Sequence, residues 1–118
     1  MSSHVIPVGD FFFAQQYKEY FKRKRWTIFI EKGTACWYCN LRGNYVVFWS
    51  DNPNIPWDSH IDLAHIDEEG NRTMFTLDHF IPKSKGGSNN SNNLVPACNP
   101  CNHIKKDDLP KMKYNERY

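Results

Sequence analysis

Residues 77–106 read LDHFIPKSKGGSNNSNNLVPACNPCNHIKK. Thirty positions hold an Asp-His pair, a Gly-Gly step, an Asn-rich run, a Cys-x-x-Cys and a helix candidate with basic residues. The stretch is incomplete by itself. Two thiolates make half of a tetrahedral zinc site, and the other two cysteines of the chain are Cys36 and Cys39. Cys36-Trp-Tyr-Cys39 and Cys98-Asn-Pro-Cys101 have the spacing of two metal knuckles, each setting two sulfurs on one side of a tight turn. Four thiolates leave no open position, so such a zinc is structural. A redox dithiol is the rival reading, but it needs one such pair, commonly between a strand and a helix.

The whole chain sets the frame. Its 118 residues suit one domain, and 40% hydrophobic with 15% aromatic residues can build a small core that gains from a metal staple. No 18-residue apolar run predicts a membrane span, and the start MSSHVIPVGD lacks the pattern of a signal peptide. The expectation is an intracellular, cytoplasmic protein with reduced cysteines and no membrane partner. The net charge of +2 says little, but basic residues cluster at Lys22, Arg23, Lys24 and Arg25 and again at Lys83, Lys85, Lys105 and Lys106. Such patches can meet phosphates. Four adjacent charges on one helix would repel one another without a partner, which favours nucleic acid at Lys22–Arg25.

Local patterns fill in the elements. Residues 1–9 read as a loose start, and Asp10 as a helix cap. Phe13, Tyr17, Tyr20 and Phe21 recur at helical spacing, which predicts one apolar face. Residues 26–30 fit a second short helix or a continuation, because Gly33 suits the position past a helix end. Residues 34–43 form the first knuckle. Strands are expected at 45–49, 60–66 and 72–77, with a Pro-containing loop at 51–58 and a turn at 67–71. Residues 83–93 are a loop and Leu94-Val95 a short strand. Asn99 as cap and Pro100 at the first helical position start a helix that ends near Asp108, and the tail from Lys111 frays.

Asp78-His79 ends a strand. Histidine can act as a base near neutral pH, and a carboxylate is a hard ligand for Mg2+ or a similar ion. Asn102 follows Cys101, so zinc would fix its helix against that strand. A base for water and a cation for phosphate charge are the parts that phosphodiester cleavage needs.

The pattern Asp78-His79 … Ile81-Pro82 … Gly86-Gly87 … Asn93-Leu94-Val95-Pro96-Ala97-Cys98-x-x-Cys101-Asn102-x-x-Lys105, with Cys36-x-x-Cys39 upstream, resembles the HNH nuclease family in its zinc-knuckle form. The likeness spans residues from about 30 to 110. It implies an α+β, ββα-metal fold with an N-terminal helical segment, stapled by zinc on four cysteines. Taken with the local patterns upstream and downstream, it divides the chain into 1–33 as the helical segment, 34–110 as the nuclease core and 111–118 as a polar tail. It implies that His79 activates water, that Asp78 binds a catalytic Mg2+ or Mn2+, and that Asn93 braces the loop and orients His79. Asn102 stands where the family more often has histidine, as in the HNN variant, and its amide oxygen would bind the same ion. His103 is the alternative in a shifted register, but adjacent helical residues diverge by about 100°.

The expected activity is a metal-dependent DNA endonuclease that leaves a 5′-phosphate and a 3′-hydroxyl, of the kind carried by phages or mobile elements. RNA stays open as a substrate, and the protein acts as a monomer or homodimer. Lys83, Lys85, Lys105, Lys106 and the run Lys22–Arg25 would contact phosphates, which positions nucleic acid without reading sequence. His60 and His65 read as surface or packing residues. Two other readings stand beside this one. One is a zinc-stapled nucleic-acid-binding module without catalysis. The other is a zinc-stabilised protein-interaction domain, which would lack salt-dependent DNA affinity.

Overall fold

The computed structural model describes residues 2–50 and 60–108. The expected loop at 51–58 and the tail from Lys111 lie outside these residues. Among the described residues, five antiparallel strands make one sheet in sequential order. They are β1 (Ser2–Pro7), β2 (Tyr45–Ser50), β3 (His60–Ile66), β4 (Arg72–His79) and β5 (Leu94–Cys98). Three α-helices accompany them: α1 (Val8–Phe13), α2 (Lys24–Lys32) and α3 (Asn99–Lys105). The result is the α+β arrangement expected from the sequence, with an N-terminal helical region and an antiparallel sheet joined by a four-cysteine cluster.

The first residues are not loose. Ser2–Pro7 pairs along its length with β2, so the N-terminus adds a strand to the sheet. Asp10 does not cap a helix either. Pro7 holds the cap position and Asp10 lies in the first turn of α1, where a carboxylate still opposes the positive end of the helix dipole. The predicted apolar face at 13–21 is also corrected. Ala14 is extended and breaks the helix, and residues Gln15–Lys22 continue as a 3-10 helix. The break resets the phase, which leaves Phe13 90% exposed and puts Phe11 at the centre of the core.

Around Phe11 stand the rings of Phe12, Tyr17, Tyr20, Phe21, Trp26 and Phe48, with centroids 4.8–6.4 Å away. All but the stacked Phe11–Tyr17 pair are tilted or edge-on, and such contacts add to burial because the ring quadrupoles avoid direct face-to-face overlap. Helix α2 sets Trp26, Ile28 and Phe29 into the interior and ends at Gly33, whose φ of 95° needs no Cβ. Residues 26–30 are therefore helical, as Gly33 suggested.

Strand β4 divides its pairing. Arg72–Met74 registers with Ile66–Ala64 of β3, while Phe75–His79 registers with Cys98–Leu94 of β5. The turn between β3 and β4 is closed by Asp67, whose Oδ1 accepts the Glu69 and Asn71 backbone N–H groups. The Asn71 bond leads in holding this carboxyl below its usual range. Strand β5 is buried throughout. It carries Pro96, which a sheet tolerates on an outer strand, and the Pro96 carbonyl accepts the Trp37 N–H at 2.8 Å. That bond ties the first knuckle to β5. Helix α3 starts at Asn99 itself, one residue earlier than a cap at Asn99 would place it, with Cys98 extended in the cap position. It ends at Lys105 rather than near Asp108, because Lys106 turns to a φ of 47°.

The fully buried ring of Phe11 makes a direct test of this core. Phe11→Ala should cost about 3–5 kcal/mol, the usual loss for a truncated core aromatic. Urea unfolding should show a lower midpoint with an unchanged slope.

Candidate metal centre and nuclease-type site

The two knuckles converge. The four Sγ atoms of Cys36, Cys39, Cys98 and Cys101 all lie within 4.8 Å of one another. Cys39 and Cys98 are 3.7 Å apart, and a tetrahedron with zinc–sulfur bonds of about 2.3 Å has edges of roughly 3.8 Å. All four cysteines are free thiols. The first knuckle is shaped by backbone bonds from Cys36 N–H to the Leu41 carbonyl and from Asn40 N–H to the Cys36 carbonyl, with Asn40 left-handed at a φ of 67°. The second is built by the end of β5 and the first turn of α3.

The electrostatics point the same way. A hydrogen bond from Cys98 holds the Cys36 thiol far down, to about 4. In turn, that bond and burial push Cys98 up, and burial followed by the charge on Cys36 pushes Cys101 up to about 12. One thiolate in this cluster therefore suppresses the next. A divalent cation removes the conflict, since coordinated thiols are deprotonated outright. The sulfur donors and near-tetrahedral spacing suit a structural zinc.

Asp78 and His79 end β4 beside this cluster. Asp78 is 7% exposed. Its Oδ2 accepts the Tyr38 hydroxyl at 2.5 Å and faces the Lys105 ammonium at 3.1 Å. Lys105 is equally buried and also donates to the His79 carbonyl at 3.0 Å. This corrects Lys105 as a phosphate contact. One turn of α3 carries its side chain back onto β4, where it balances the buried carboxylate. Tyr38 lies inside the first knuckle, so the knuckle both supplies sulfurs and holds Asp78.

The loop from Phe80 to Asn93 is pinned by one amide. Asn93 Oδ1 accepts the Ile81 N–H at 2.9 Å, and its Nδ2 donates to the carbonyls of Ile81 and Ser88 at 3.0 and 2.9 Å. Asn93 thus braces the loop with a side chain spent entirely on backbone. The ring of His79 is met instead by Asn89, with Nε2 2.8 Å from Asn89 Oδ1. Gly86 has a φ of 90°, and a Cβ on Gly87 would stand 1.7 Å from the Ile81 carbonyl oxygen. Gly86 is therefore required by its left-handed backbone and Gly87 by the close approach of the Ile81 carbonyl.

Asn102 lies half-buried in α3 and lines an open cavity of about 610 Å³ with Asn99, Pro100, His103 and Ile104. Among the described residues no hydrogen bond joins it to Asp78. The basic residues divide into two groups. Lys83 and Lys85, in a short 3-10 turn, and Lys106 are exposed. The run Lys22–Arg25 does not share one helix, because Arg23 is extended between the 3-10 helix and α2. Each member has a partner within the chain: Glu19 for Lys22, the Tyr20 ring for Arg23, the Asn89 carbonyl for Lys24 and Asp62 for Arg25. The mutual repulsion that argued for an outside ligand is thereby relieved. Asp62 also meets His60, and His65 meets the Arg42 carbonyl, so both histidines pack locally.

Residues 67–115 match the model of a family described as HNH endonuclease. This stretch is an HNH-family domain. It runs from the β3–β4 turn through β4, the glycine loop, β5 and α3, which is the hairpin and helix of a ββα-metal arrangement. The first knuckle lies outside the match and completes the HNH segment's metal cluster from elsewhere in the chain. No curated protein and no solved structure matches the chain. No helix among the described residues is long and apolar enough to cross a membrane. Sequence reasoning missed Tyr38, Asn89 and the buried role of Lys105; of these, only Tyr38 carried a signal, its place inside a metal knuckle.

Two outcomes test this centre. A strong chelator should remove about one zinc per chain and lower the melting temperature sharply, since metal affinity in such sites is folding energy. Lys105→Ala should cost about 3–5 kcal/mol by leaving Asp78 buried and unpaired, whereas Lys106→Ala should leave thermal stability near the parent value.

Proposed function

We propose that the protein is a metal-dependent DNA endonuclease in which His79 activates the attacking water. The observation that carries this reading is the placement of a half-exposed imidazole at the end of β4 within the HNH segment, next to a buried carboxylate and with one ring nitrogen already engaged. An imidazole so held can take a proton from water through its other nitrogen, near neutral pH. Asp78 and Asn102 would hold the catalytic ion. Their carboxylate and amide oxygens favour Mg2+ or Mn2+ over softer metals. Bound there, the ion would stabilise charge on the phosphate and the leaving oxygen. Lys83, Lys85 and Lys106 are the exposed cations best suited to hold flanking phosphates. Contacts of that kind fix register without base preference.

One observation favours the second reading, a zinc-stapled nucleic-acid-binding module without catalysis. The Lys105 ammonium already neutralises Asp78 at 3.1 Å. A lysine in that place lowers the demand of the carboxylate for a metal ion. Plasmid nicking separates the two readings. Nuclease action predicts conversion of supercoiled DNA that needs Mg2+ or Mn2+ and is lost in His79→Ala, with zinc content and melting temperature preserved. Cleavage at the parental rate by His79→Ala would remove the assignment of the base. Salt-sensitive DNA binding without nicking under any divalent ion would leave the binding module.

A further inference from the structure

We propose that Asn89, not the motif residue Asn93, is the positioning residue that sets the orientation and tautomer of His79, and that Lys24 of the N-terminal helix holds Asn89 in place. The inference rests on the reading of His79 as the base. The carboxamide oxygen of Asn89 lies 2.8 Å from His79 Nε2. A carbonyl oxygen has only lone pairs to offer, so the nitrogen facing it must carry the proton. In a neutral imidazole the other nitrogen, Nδ1, then keeps its lone pair. That is the nitrogen a base needs to present to water. Asn93 does not contribute this contact, since its amide bonds the backbone of Ile81 and Ser88.

Asn89 lies in an exposed polar loop, which by itself would leave its side chain free to wander. The loop is held from a second direction. Lys24 Nζ donates to the Asn89 carbonyl at 3.2 Å, and Lys32 Nζ donates to the carbonyls of Ser91 and Leu94 at 2.6 and 2.7 Å. Both lysines come from α2, at either end of the helix and outside the HNH segment. The contacts form a chain: α2, Lys24, the Asn89 backbone, the Asn89 amide, the His79 ring. An element that is not part of the matched family segment thereby reaches the reacting group. It also gives Lys24 a function that does not involve phosphate.

The test uses the full zinc-loaded chain and two readouts. The first is the pair of ring nitrogen NMR shifts of His79, recorded without DNA at alkaline pH where the ring is neutral. The second is steady-state nicking, with kcat and KM separated. The parent should show His79 protonated on Nε2. Asn89→Ala should give mixed tautomers and lower kcat about tenfold, part of the 10²–10⁴ that a positioned base supplies, with KM little changed. Asn89→Asp keeps an acceptor oxygen in place and should retain the Nε2–H tautomer. Lys24→Met should shift the tautomers in the same direction as Asn89→Ala, by less. If Asn89→Ala keeps the parental tautomer, or changes it without lowering kcat, the inference fails. His79→Ala separates this failure from that of the broader reading. A dead His79→Ala beside a fully active Asn89→Ala sinks only the role of Asn89, while an active His79→Ala sinks the base assignment itself.

Discussion

Four thiols within 4.8 Å of one another are the constraint on which the structure turns. Close thiolates repel, and burial raises the cost of each further charge. The fold brings them together all the same, from a knuckle before β2 and another at the β5–α3 junction. The gain is geometric. The first knuckle carries Tyr38 to Asp78, and the second fixes the start of the helix that carries Lys105 to the same carboxylate. The metal cluster and the Asp-His pair are thus two ends of one scaffold, joined through a buried polar triad. In such a triad the loss of either charged member, Asp78 or Lys105, leaves the other buried without compensation.

Much of this was legible in the chain. Two Cys-x-x-Cys pairs announce a tetrahedral cluster because thiolate spacing alone carries the chemistry. The Gly-Gly step was visible too, but the structure supplies a reason internal to the chain, the Ile81 carbonyl that a Cβ on Gly87 would meet. Strands β2 to β5 followed from β-branched runs punctuated by turns. Side-chain partners were less legible. Lys105 reads as solvated until α3 is folded against β4, because nothing local to Lys105 foretells a carboxylate 27 positions earlier. Asn89 is one of four asparagines within 89–93 that could serve as a loop former, and the family resemblance favoured Asn93. Phe13 lost its place in the core through one extended residue, Ala14, which helical periodicity cannot foresee.

The basic residues show the same limit from another side. A count of lysines and arginines suggested a phosphate-binding face at 22–25. In the fold these charges are distributed among Glu19, a tyrosine ring, a loop carbonyl and Asp62. Lys24 and Arg25 fasten the N-terminal segment to the rest of the chain, while Lys22 and Arg23 hold partners within that segment. Lys83, Lys85 and Lys106, by contrast, stand exposed.

The pinned loop before β5 has a consequence for the order of assembly. Lys24 reaches Asn89 across 65 positions, Lys32 reaches Leu94 across 62, and Cys39 meets Cys98 across 59. Contacts this distant in sequence close late, after shorter-range structure has formed, because the entropy of closing a long loop is lost before the contact returns anything. The sulfur cage and the alignment of the imidazole both depend on contacts of this length, so both belong to the late part of assembly.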